Sequence, residues 1–267
     1  MDAPIGIFDS GLGGLTVLKE IARELPFENL IYVGDTARVP YGVKSPETVT
    51  RYSREICDFL SQLQVKAIVV ACNTASALAL PKIREAYSIP LIGVLEPGVT
   101  AAVRATKSGS IGVIGTPGTI KSGSYTKAIL ARMPEARILS RACPLFVPLV
   151  EEGWTDHEVT HRVAQIYLDE WRNDQLDTLI LGCTHYPLLK DVIQSVLGDS
   201  VSLVDSAQET AKAVQRLLHE RNLLTNKVQT GTHRVFTTDT PEKWNELAQR
   251  FLGQTLPNAE LAALGAA

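Results

Sequence analysis

The feature of this chain that most constrains its fold is a regular alternation of short, apolar, β-branched runs with segments of helical periodicity. Amphipathic stretches such as Pro46–Leu63 and Ala75–Ala86 are predicted to be helices. Alternation of this kind is typical of parallel sheets that are covered on both faces by helices, so we predict an α/β fold with mainly parallel sheets. The predicted strands are Ile5–Phe8, Leu30–Val33, Ala67–Ala71, Pro90–Val94, Ile111–Ile114, Arg137–Leu139, Thr178–Leu181, Ser202–Val204 and Arg234–Thr237.

Part of this pattern occurs twice. Any strand–helix repeat produces some similarity between apolar strands, but here a cysteine, Cys72 or Cys183, ends the matching strand in both halves. We therefore predict two related, pseudo-symmetric α/β lobes. The matching segments, in the same order and at nearly the same spacing, are Ile5–Gly14 with Ile111–Gly118, Ala67–Thr74 with Thr178–His185, and Ile89–Gly93 with Val201–Asp205.

The repeat also predicts where a ligand would bind. Ligands of open α/β sheets bind outside the carboxyl ends of the strands. If the two lobes face each other, both cysteines line a shared cleft, one on each side. We expect the first lobe to comprise residues 1–95 and 208–267 and the second to comprise residues 96–207, with the chain crossing between them at Glu96–Gly98 and Asp205–Gln208.

Charge, hydrophobicity and cysteine content argue against several classes of protein. The 26 basic and 29 acidic residues give a net charge of −3 without long like-charged runs, so no nucleic-acid partner is required. The N-terminal sequence lacks the pattern of a signal peptide, and no run is long and apolar enough to span a membrane. The four cysteines form neither a CxxC motif nor a zinc-like cluster with histidines, which favours a reducing cytoplasm and no metal site.

Two of the cysteines lie where acid–base chemistry is expected. Cys72 and Cys183 each lie between a predicted strand and a predicted helix, where a helix N-terminus can lower a thiol pKa. Two such groups on opposite sides of a carbon can remove a proton from one face and return one to the other. By contrast, Cys57 within an amphipathic helix and Cys143 in an apolar run are interpreted as packing residues.

Several motifs resemble those of bacterial glutamate racemases, within the aspartate/glutamate racemase family. They are FDSGLGG at Phe8–Gly14, GDTARVPYG at Gly34–Gly42, ACNTAS at Ala71–Ser76 and GCTHYP at Gly182–Pro187, and the likeness extends through Glu151–Gly153, Phe236–Thr240 and Phe251–Gly253. The resemblance covers nearly the whole chain. The Asp-Ser-Gly and Cys-Thr-His versions of the motifs favour glutamate over aspartate.

The resemblance implies an isomerase in which Cys72 and Cys183 are alternating bases, without pyridoxal phosphate, another cofactor or a metal. It also implies a role in supplying D-glutamate for peptidoglycan, and hence in cell-wall biogenesis and cell shape. Asp9 and His185 are further catalytic candidates, because either could tune a thiol or handle the substrate ammonium. The implied substrate contacts are Asp9, Ser10, Tyr41, Gly42, Asn73, Thr74, Thr184 and His185, with Thr116, Thr119 and Glu151 as weaker candidates.

The sequence leaves several alternatives open. The polar residues beside the cysteines could be ordinary helix caps, and His185 could be a structural histidine. The protein could racemise aspartate or another small acid, bind a metabolite without turnover, or act as a dithiol redox protein. A homodimer is compatible with the sequence, which does not set the oligomeric state. Because Arg38 is the one cation within the four main motifs, we expect neutral donors and helix ends to hold the substrate carboxylates.

Overall fold

The computed structural model describes residues 2–244, 248–249, 251 and 258–264 and has mixed α/β architecture. Its strands are β1 (Ile5–Asp9), β2 (Leu30–Gly34), β3 (Ala67–Val70), β4 (Leu91–Gly93), β5 (Ser110–Gly115), β6 (Arg137–Ala142), β7 (Thr178–Gly182), β8 (Ser202–Asp205), β9 (His233–Thr237) and β10 (Glu260–Leu261). Its α-helices are α1 (Leu15–Glu24), α2 (Pro46–Gln62), α3 (Asn73–Leu78), α4 (Leu80–Ile83), α5 (Leu95–Ala105), α6 (Pro117–Lys121), α7 (Ser124–Leu130), α8 (Phe146–Glu151), α9 (Glu158–Leu168), α10 (Lys190–Leu197) and α11 (Ser206–Glu220). Short 3₁₀ turns lie at Thr36–Arg38, Tyr41–Val43, Arg84–Ala86, Asp169–Asn173, Tyr186–Leu189 and Pro241–Lys243.

The strands form two sheets. One has the order β10-β9-β2-β1-β3-β4 and the other the order β6-β5-β7-β8, and the strand pairs of the described residues are parallel. Central strands such as β1, β3 and β7 are buried along their whole length, as expected when helices cover both faces of a parallel sheet. The predicted fold class is therefore confirmed.

The internal repeat is visible in the strand order and in the register. The four strands β2-β1-β3-β4 of the first sheet correspond to β6-β5-β7-β8 of the second. Within the first sheet Ile5 pairs with Ala67, and within the second Ile111 pairs with Thr178. The sequence similarity matches Ile5 with Ile111 and Ala67 with Thr178, so equivalent residues are paired in the two sheets. The two sheets thus repeat one four-stranded unit, to which β9 and β10 add strands on the first sheet.

The predicted strands are all present, with small differences at their ends. The largest is in β6, which continues to Ala142 rather than ending at Leu139. The strand β10 was not predicted, because two residues are too few to carry an alternating pattern. Helix α2 begins after Ser45, whose hydroxyl accepts the Thr48 N–H at 3.2 Å, and Pro46 occupies its first turn.

One helix prediction was wrong in its bounds. The stretch expected at Ala75–Ala86 begins earlier, at Asn73, and is broken at Ala79 into α3, α4 and a 3₁₀ turn. The interruption coincides with Pro81, which lies in the first turn of α4. A proline there lacks the N–H that would continue α3, so the chain restarts a helix.

Helices α5 and α11 carry the chain between the two sheets. Helix α5 leads from β4 of the first sheet to β5 of the second, and α11 leads from β8 back towards β9. Leu18 of α1 and Val214 of α11 belong to the same hydrophobic cluster, so α11 packs on the helices of the first sheet. The division into domains at residues 95/96 and 207/208 stays a prediction. Among the described residues no helix is long and apolar enough to cross a membrane.

Candidate active site

The strand order places two equivalent crevices in the molecule. In the first sheet β1 lies between β2 and β3, so the connections after β1 and β3 leave in different directions and open a crevice at their carboxyl ends. Ser10 follows β1 and Cys72 lies just beyond β3. In the second sheet Thr116 follows β5 and Cys183 follows β7 in the same arrangement. Each cysteine therefore stands at the switch point of its own sheet.

The two crevices open into one cavity of about 320 Å³ between the sheets. Both cysteines line it and both are nearly buried, with 5% and 6% of their surface exposed. Among the described residues that line the cavity there is no lysine or arginine. The lining consists of Ser10, Gly11, Val39, Pro40, Tyr41, Gly42, Val43, Cys72, Asn73, Thr74, Thr116, Pro117, Pro144, Val147, Pro148, Glu151, Cys183, Thr184 and His185.

The surroundings of Cys72 contain hydroxyl and backbone partners. Its Sγ lies 3.7 Å from Ser10 Oγ, to which it can donate, and it accepts the Ala75 N–H at 3.5 Å, which caps α3. Burial and the nearby Asp9 carboxylate raise the pKa of Cys72 to about 12, although the Ala75 N–H and the Ser10 hydroxyl lower it. At neutral pH this group is a thiol.

Cys183 has an imidazole as its neighbour. Its Sγ lies 3.8 Å from His185 Nδ1, and His185 Nε2 lies 3.0 Å from Glu151 Oε1. Burial alone would lower the pKa of His185, but the hydrogen bonds and charges of Cys183 and Glu151 raise it to about 10. The ring of Phe251 packs edge-on against this imidazole at 5.4 Å between centroids, while Leu252 and Gly253 of the predicted motif lie outside the described residues. A cationic His185 can stabilise negative charge on the Cys183 sulfur.

Asp9 lies behind the cavity wall. It is fully buried, with Oδ2 accepting the Gly11 N–H at 3.0 Å and Oδ1 accepting the Thr184 hydroxyl at 3.5 Å. Burial raises its pKa, against the lowering effects of His185 and of backbone N–H groups in the Gly11–Gly14 turn. Among the candidates from the sequence, Asp9 and Thr119 do not line the cavity, and the others do.

Two glycines permit close approach between the two halves. A Cβ added at Gly13 would lie 2.2 Å from Thr184 Oγ1 and 2.6 Å from His185 Nδ1, and one at Gly42 would lie 2.6 Å from Thr116 Cβ. Real Cβ atoms do not approach other atoms so closely, so a larger residue would displace these side chains. The turn after β1 therefore supports the Cys183 segment, and the Tyr41–Val43 turn closes one side of the cavity.

Three threonine hydroxyls from the two halves of the repeat meet, two of them, Thr74 and Thr116, on the cavity wall. Thr74 Oγ1 lies 2.8 Å from Thr116 Oγ1 and 3.2 Å from Thr119 Oγ1, and the latter two are 3.0 Å apart. Thr116 also caps α6 by accepting the Thr119 N–H at 3.3 Å. The N-cap of α3 is the Cys72 sulfur, so Asn73 and Thr74 are not its caps.

Arg38 points away from the cavity. Its Nε donates to Asp35 Oδ2 at 2.8 Å, its Nη1 pairs with Glu55, and its guanidinium lies 4.0 Å above the ring of Tyr52. Asp35 in turn accepts hydrogen bonds from the Tyr41 and Thr238 hydroxyls, so this network holds the wall segment that contains Tyr41.

Sequence reasoning missed two parts of the site. The first is an apolar rim formed by Val39, Pro40, Pro144, Val147 and Pro148. The loop after β6 corresponds to the loop after β2 in the repeat, and this equivalence could have located half of the rim. The second is Tyr125 of α7, whose hydroxyl donates to Asn73 Oδ1 at 2.6 Å; no motif marks it. Cys57 and Cys143 are fully buried, in line with their interpretation as packing residues, and do not line the cavity.

A family model described as Asp/Glu/hydantoin racemase matches residues 5–214. The chain belongs to this family. It is 56% identical over 262 residues to the glutamate racemase of Geobacter metallireducens, covering 98% of this chain and 97% of that one. Among solved structures it resembles a glutamate racemase from Bacillus anthracis (TM-score 0.94, 42% identity, 98% and 97% of the two chains). It also resembles one from Francisella tularensis in complex with D-glutamate (TM-score 0.93, 38% identity, 100% and 99%). The predicted family is thus confirmed.

In the described part of the chain no group of three or more histidine, cysteine, aspartate or glutamate side chains is placed to hold a metal ion. The polar groups that the described lining residues present are instead hydroxyls, one amide, one imidazole, one carboxylate and two thiols. This set offers hydrogen bonds to carboxylates and two groups that can exchange a proton with carbon.

Proposed function

We propose that this protein interconverts L- and D-glutamate without a cofactor, with Cys72 and Cys183 as the two acid–base groups. The observation that carries the proposal is the placement of the two thiols at equivalent strand ends of a repeated unit, on the same small cavity. Two relatives support the proposal. A protein that is 56% identical over nearly the full length is named glutamate racemase, and a similar structure is in complex with D-glutamate.

The protonation states suit a two-base reaction. With His185 positively charged, Cys183 can act as the thiolate, while Cys72 carries its proton. The Cys183 sulfur takes the α-proton: the C–H bond breaks, an S–H bond forms and the electron pair stays on carbon. The Cys72 S–H then breaks and its proton bonds to the opposite face of that carbon. The enzyme is left with the thiolate on Cys72, which is the starting state for the reverse reaction.

Neutral donors hold the carboxylates in this proposal. Ser10, Asn73, Thr74 and Thr184 line the cavity, and no lysine or arginine in the described part of the chain does. A lysine or arginine that held a carboxylate here would also pair with the thiolate and compete with His185 for it, whereas hydroxyl and amide donors bind carboxylate without that competition. Donors fixed at the α-carboxylate also stabilise the charge that develops when the α-proton leaves.

The distal part of the substrate extends towards Tyr41 and Gly42. These residues form the side of the cavity where the 3₁₀ turn Tyr41–Val43 meets Thr116.

In the cell, the product D-glutamate would serve peptidoglycan synthesis. If so, depletion of the protein should arrest growth of its host in a way that added D-glutamate relieves.

The deciding experiment is a proton NMR time course of L-glutamate with the purified, reduced protein in D₂O without added cofactor, combined with chiral analysis. We expect the α-proton signal to disappear as D-glutamate forms. L-Aspartate under identical conditions is the control for substrate class and should exchange far more slowly. An unchanged glutamate signal with binding intact would make the protein a metabolite-binding module and overturn the proposal, as would faster exchange of aspartate.

A further inference from the structure

Tyr125 contacts both cysteine-bearing segments. It lies in the first turn of α7, in the half that carries Cys183, and its side chain is buried with 2% of its surface exposed. Its ring packs beside Gly182, where an added Cβ would lie 3.3 Å from Tyr125 Cε2. Its hydroxyl reaches across to Asn73 Oδ1 at 2.6 Å. One side chain thus touches the residue before Cys183 and the residue after Cys72.

The hydrogen bond from Tyr125 fixes the direction of the Asn73 amide. Asn73 is 2% exposed and lines the cavity, yet its Nδ2 has no hydrogen-bond partner within the part of the chain that the structure describes. Buried amide nitrogens are nearly always paired in folded proteins, so an unpaired one on a cavity wall indicates a ligand acceptor. With Oδ1 held by a hydroxyl, the two Nδ2 hydrogens are left for that acceptor.

Tyr125 keeps the proton that it donates. Burial, together with the negative charges of Cys183 and Glu96, raises the pKa of this phenol above its ordinary value. The hydroxyl therefore stays a donor at neutral pH, and the Asn73 amide keeps one orientation.

We propose that Tyr125 is a positioning residue for substrate binding: it orients the Asn73 amide so that Nδ2 donates to a substrate carboxylate, and it ties that donor to the half that carries Cys183. This inference rests on the proposed racemisation of glutamate. Tyr125 would act through Asn73 and would not itself contact the substrate.

A purely structural role is the alternative. Tyr125 belongs to a buried cluster with Leu95, Val99 and Ile129, and phenylalanine would preserve that packing. Tyr125→Phe therefore separates the two roles, because it removes the hydroxyl and keeps the ring. The control is Tyr167→Phe, which removes a tyrosine hydroxyl that accepts the Leu145 N–H at 3.3 Å and lies outside the cavity lining.

We expect Tyr125→Phe to raise KM for both glutamate enantiomers about 5- to 10-fold, the effect of losing one oriented hydrogen bond, with kcat changed less than about 2-fold. Tyr167→Phe should leave both constants within about 2-fold of wild type. A thermal melt of each variant should show a folded protein, and isothermal titration with D-glutamate should show the same weakening as KM.

A double-mutant cycle with Asn73→Ala gives the second measurement. If Tyr125 acts through Asn73, then Tyr125→Phe in the Asn73→Ala background should have no further effect on KM. An unchanged KM in active Tyr125→Phe, a fall in kcat alone, or additive effects in the cycle would overturn the inference and leave the proposed function intact. A wild-type protein that neither binds nor racemises glutamate would overturn the proposed function, and the inference with it.

Discussion

The two cysteine-bearing segments have the same backbone plan and different side-chain partners. Cys72 and Cys183 both lie just beyond the third strand in a four-stranded unit with the same strand order and register. Around Cys72 the partners are the Ser10 hydroxyl and the Ala75 N–H, whereas Cys183 lies beside His185. The repeat thus accounts for where the sulfurs are, and the local side chains give each sulfur a different electrostatic environment.

This difference is consistent with a reaction that needs one acid and one base at a time. Asp9 and burial raise the pKa of Cys72 to about 12, and a pKa of about 10 keeps His185 charged beside Cys183. A fully symmetric site would place two thiols or two thiolates on the substrate. The two sulfurs therefore lie in an asymmetric site, although the backbone around them is repeated.

The largest effect should come from removing either sulfur. We expect Cys72→Ser and Cys183→Ser each to lower racemisation by about 10³-fold, because a hydroxyl is a far weaker acid and base towards carbon at neutral pH. Chiral chromatography after incubation with each enantiomer measures this. Cys57→Ala, at a buried cysteine outside the cavity, is the control and should keep activity. Retention of most activity in either serine variant would contradict the role of that cysteine.

The second effect concerns the imidazole that only one segment has. We expect His185→Gln to lower kcat by about 10²-fold, since the Cys183 sulfur loses its cationic partner. The folded pKa of His185, about 10, exceeds its unfolded value of about 6.5. Its contribution to stability is therefore complete below about pH 6.5 and is lost as the pH rises towards 10.

Urea denaturation across this pH range tests whether the positive charge of His185 stabilises the folded protein. The free energy of unfolding of the wild type should fall more steeply between pH 7 and 10 than that of His185→Gln. Groups such as Cys72 that titrate in both proteins cancel in this difference. Parallel profiles would mean that His185 is not charged in the folded protein, and the asymmetry between the two sulfurs would need another cause.

The fold was largely predictable because its signals are local. Apolar runs located the strands, and the similarity of Ala67–Thr74 to Thr178–His185 anticipated a register that the sheets show. The ends of elements were harder: β10 has too few residues for a pattern, and the break at Ala79 depends on Pro81. The parts of the candidate site next to a strand end, such as Ser10 and Asn73, were likewise found from motifs.

Contacts between the two halves were not predictable. Tyr125 reaches Asn73 from α7, and Gly13 approaches Thr184 from the turn after β1, through packing that no single segment encodes. Asp9 is a further example. Its position in the first motif predicted a substrate contact, but its side chain is buried behind the cavity wall. Spatial placement of a helix relative to a distant strand end decides these contacts, and a periodic pattern carries no such information.

A smaller effect is expected where one half supports the other. Gly13→Ala would place a Cβ against Thr184 and His185, so we expect an approximately 10-fold loss of kcat/KM from displaced side chains. Gly112→Ala is a matched control, because its Cβ would meet the movable Leu179 side chain at 2.9 Å, away from the cavity. It should lower the melting temperature with little effect on activity. An active Gly13→Ala enzyme would show that the Cys183 segment does not depend on the first turn.

The smallest effect on catalysis should follow loss of Arg38. If neutral donors hold the carboxylates, then Arg38→Ala should change KM for glutamate by less than about 3-fold, because the guanidinium faces Asp35 and Glu55 and not the cavity. It should cost stability instead, by about 2 kcal/mol, since it leaves the fully buried Asp35 carboxylate without its cation. Urea denaturation and steady-state kinetics on the same preparation separate these two consequences.

Arg38→Lys refines the test, because it keeps a charge near Asp35 while losing the planar group over Tyr52. We expect its stability to lie between those of the wild type and Arg38→Ala, with KM unchanged. Should Arg38→Ala instead abolish glutamate binding in a folded protein, a cation would be holding a carboxylate after all. The cavity would then have to rearrange on binding to bring Arg38 to the substrate. A second positive charge near the sulfurs would compete with His185 for the thiolate, and His185 alone would no longer explain the difference between the two cysteine-bearing segments.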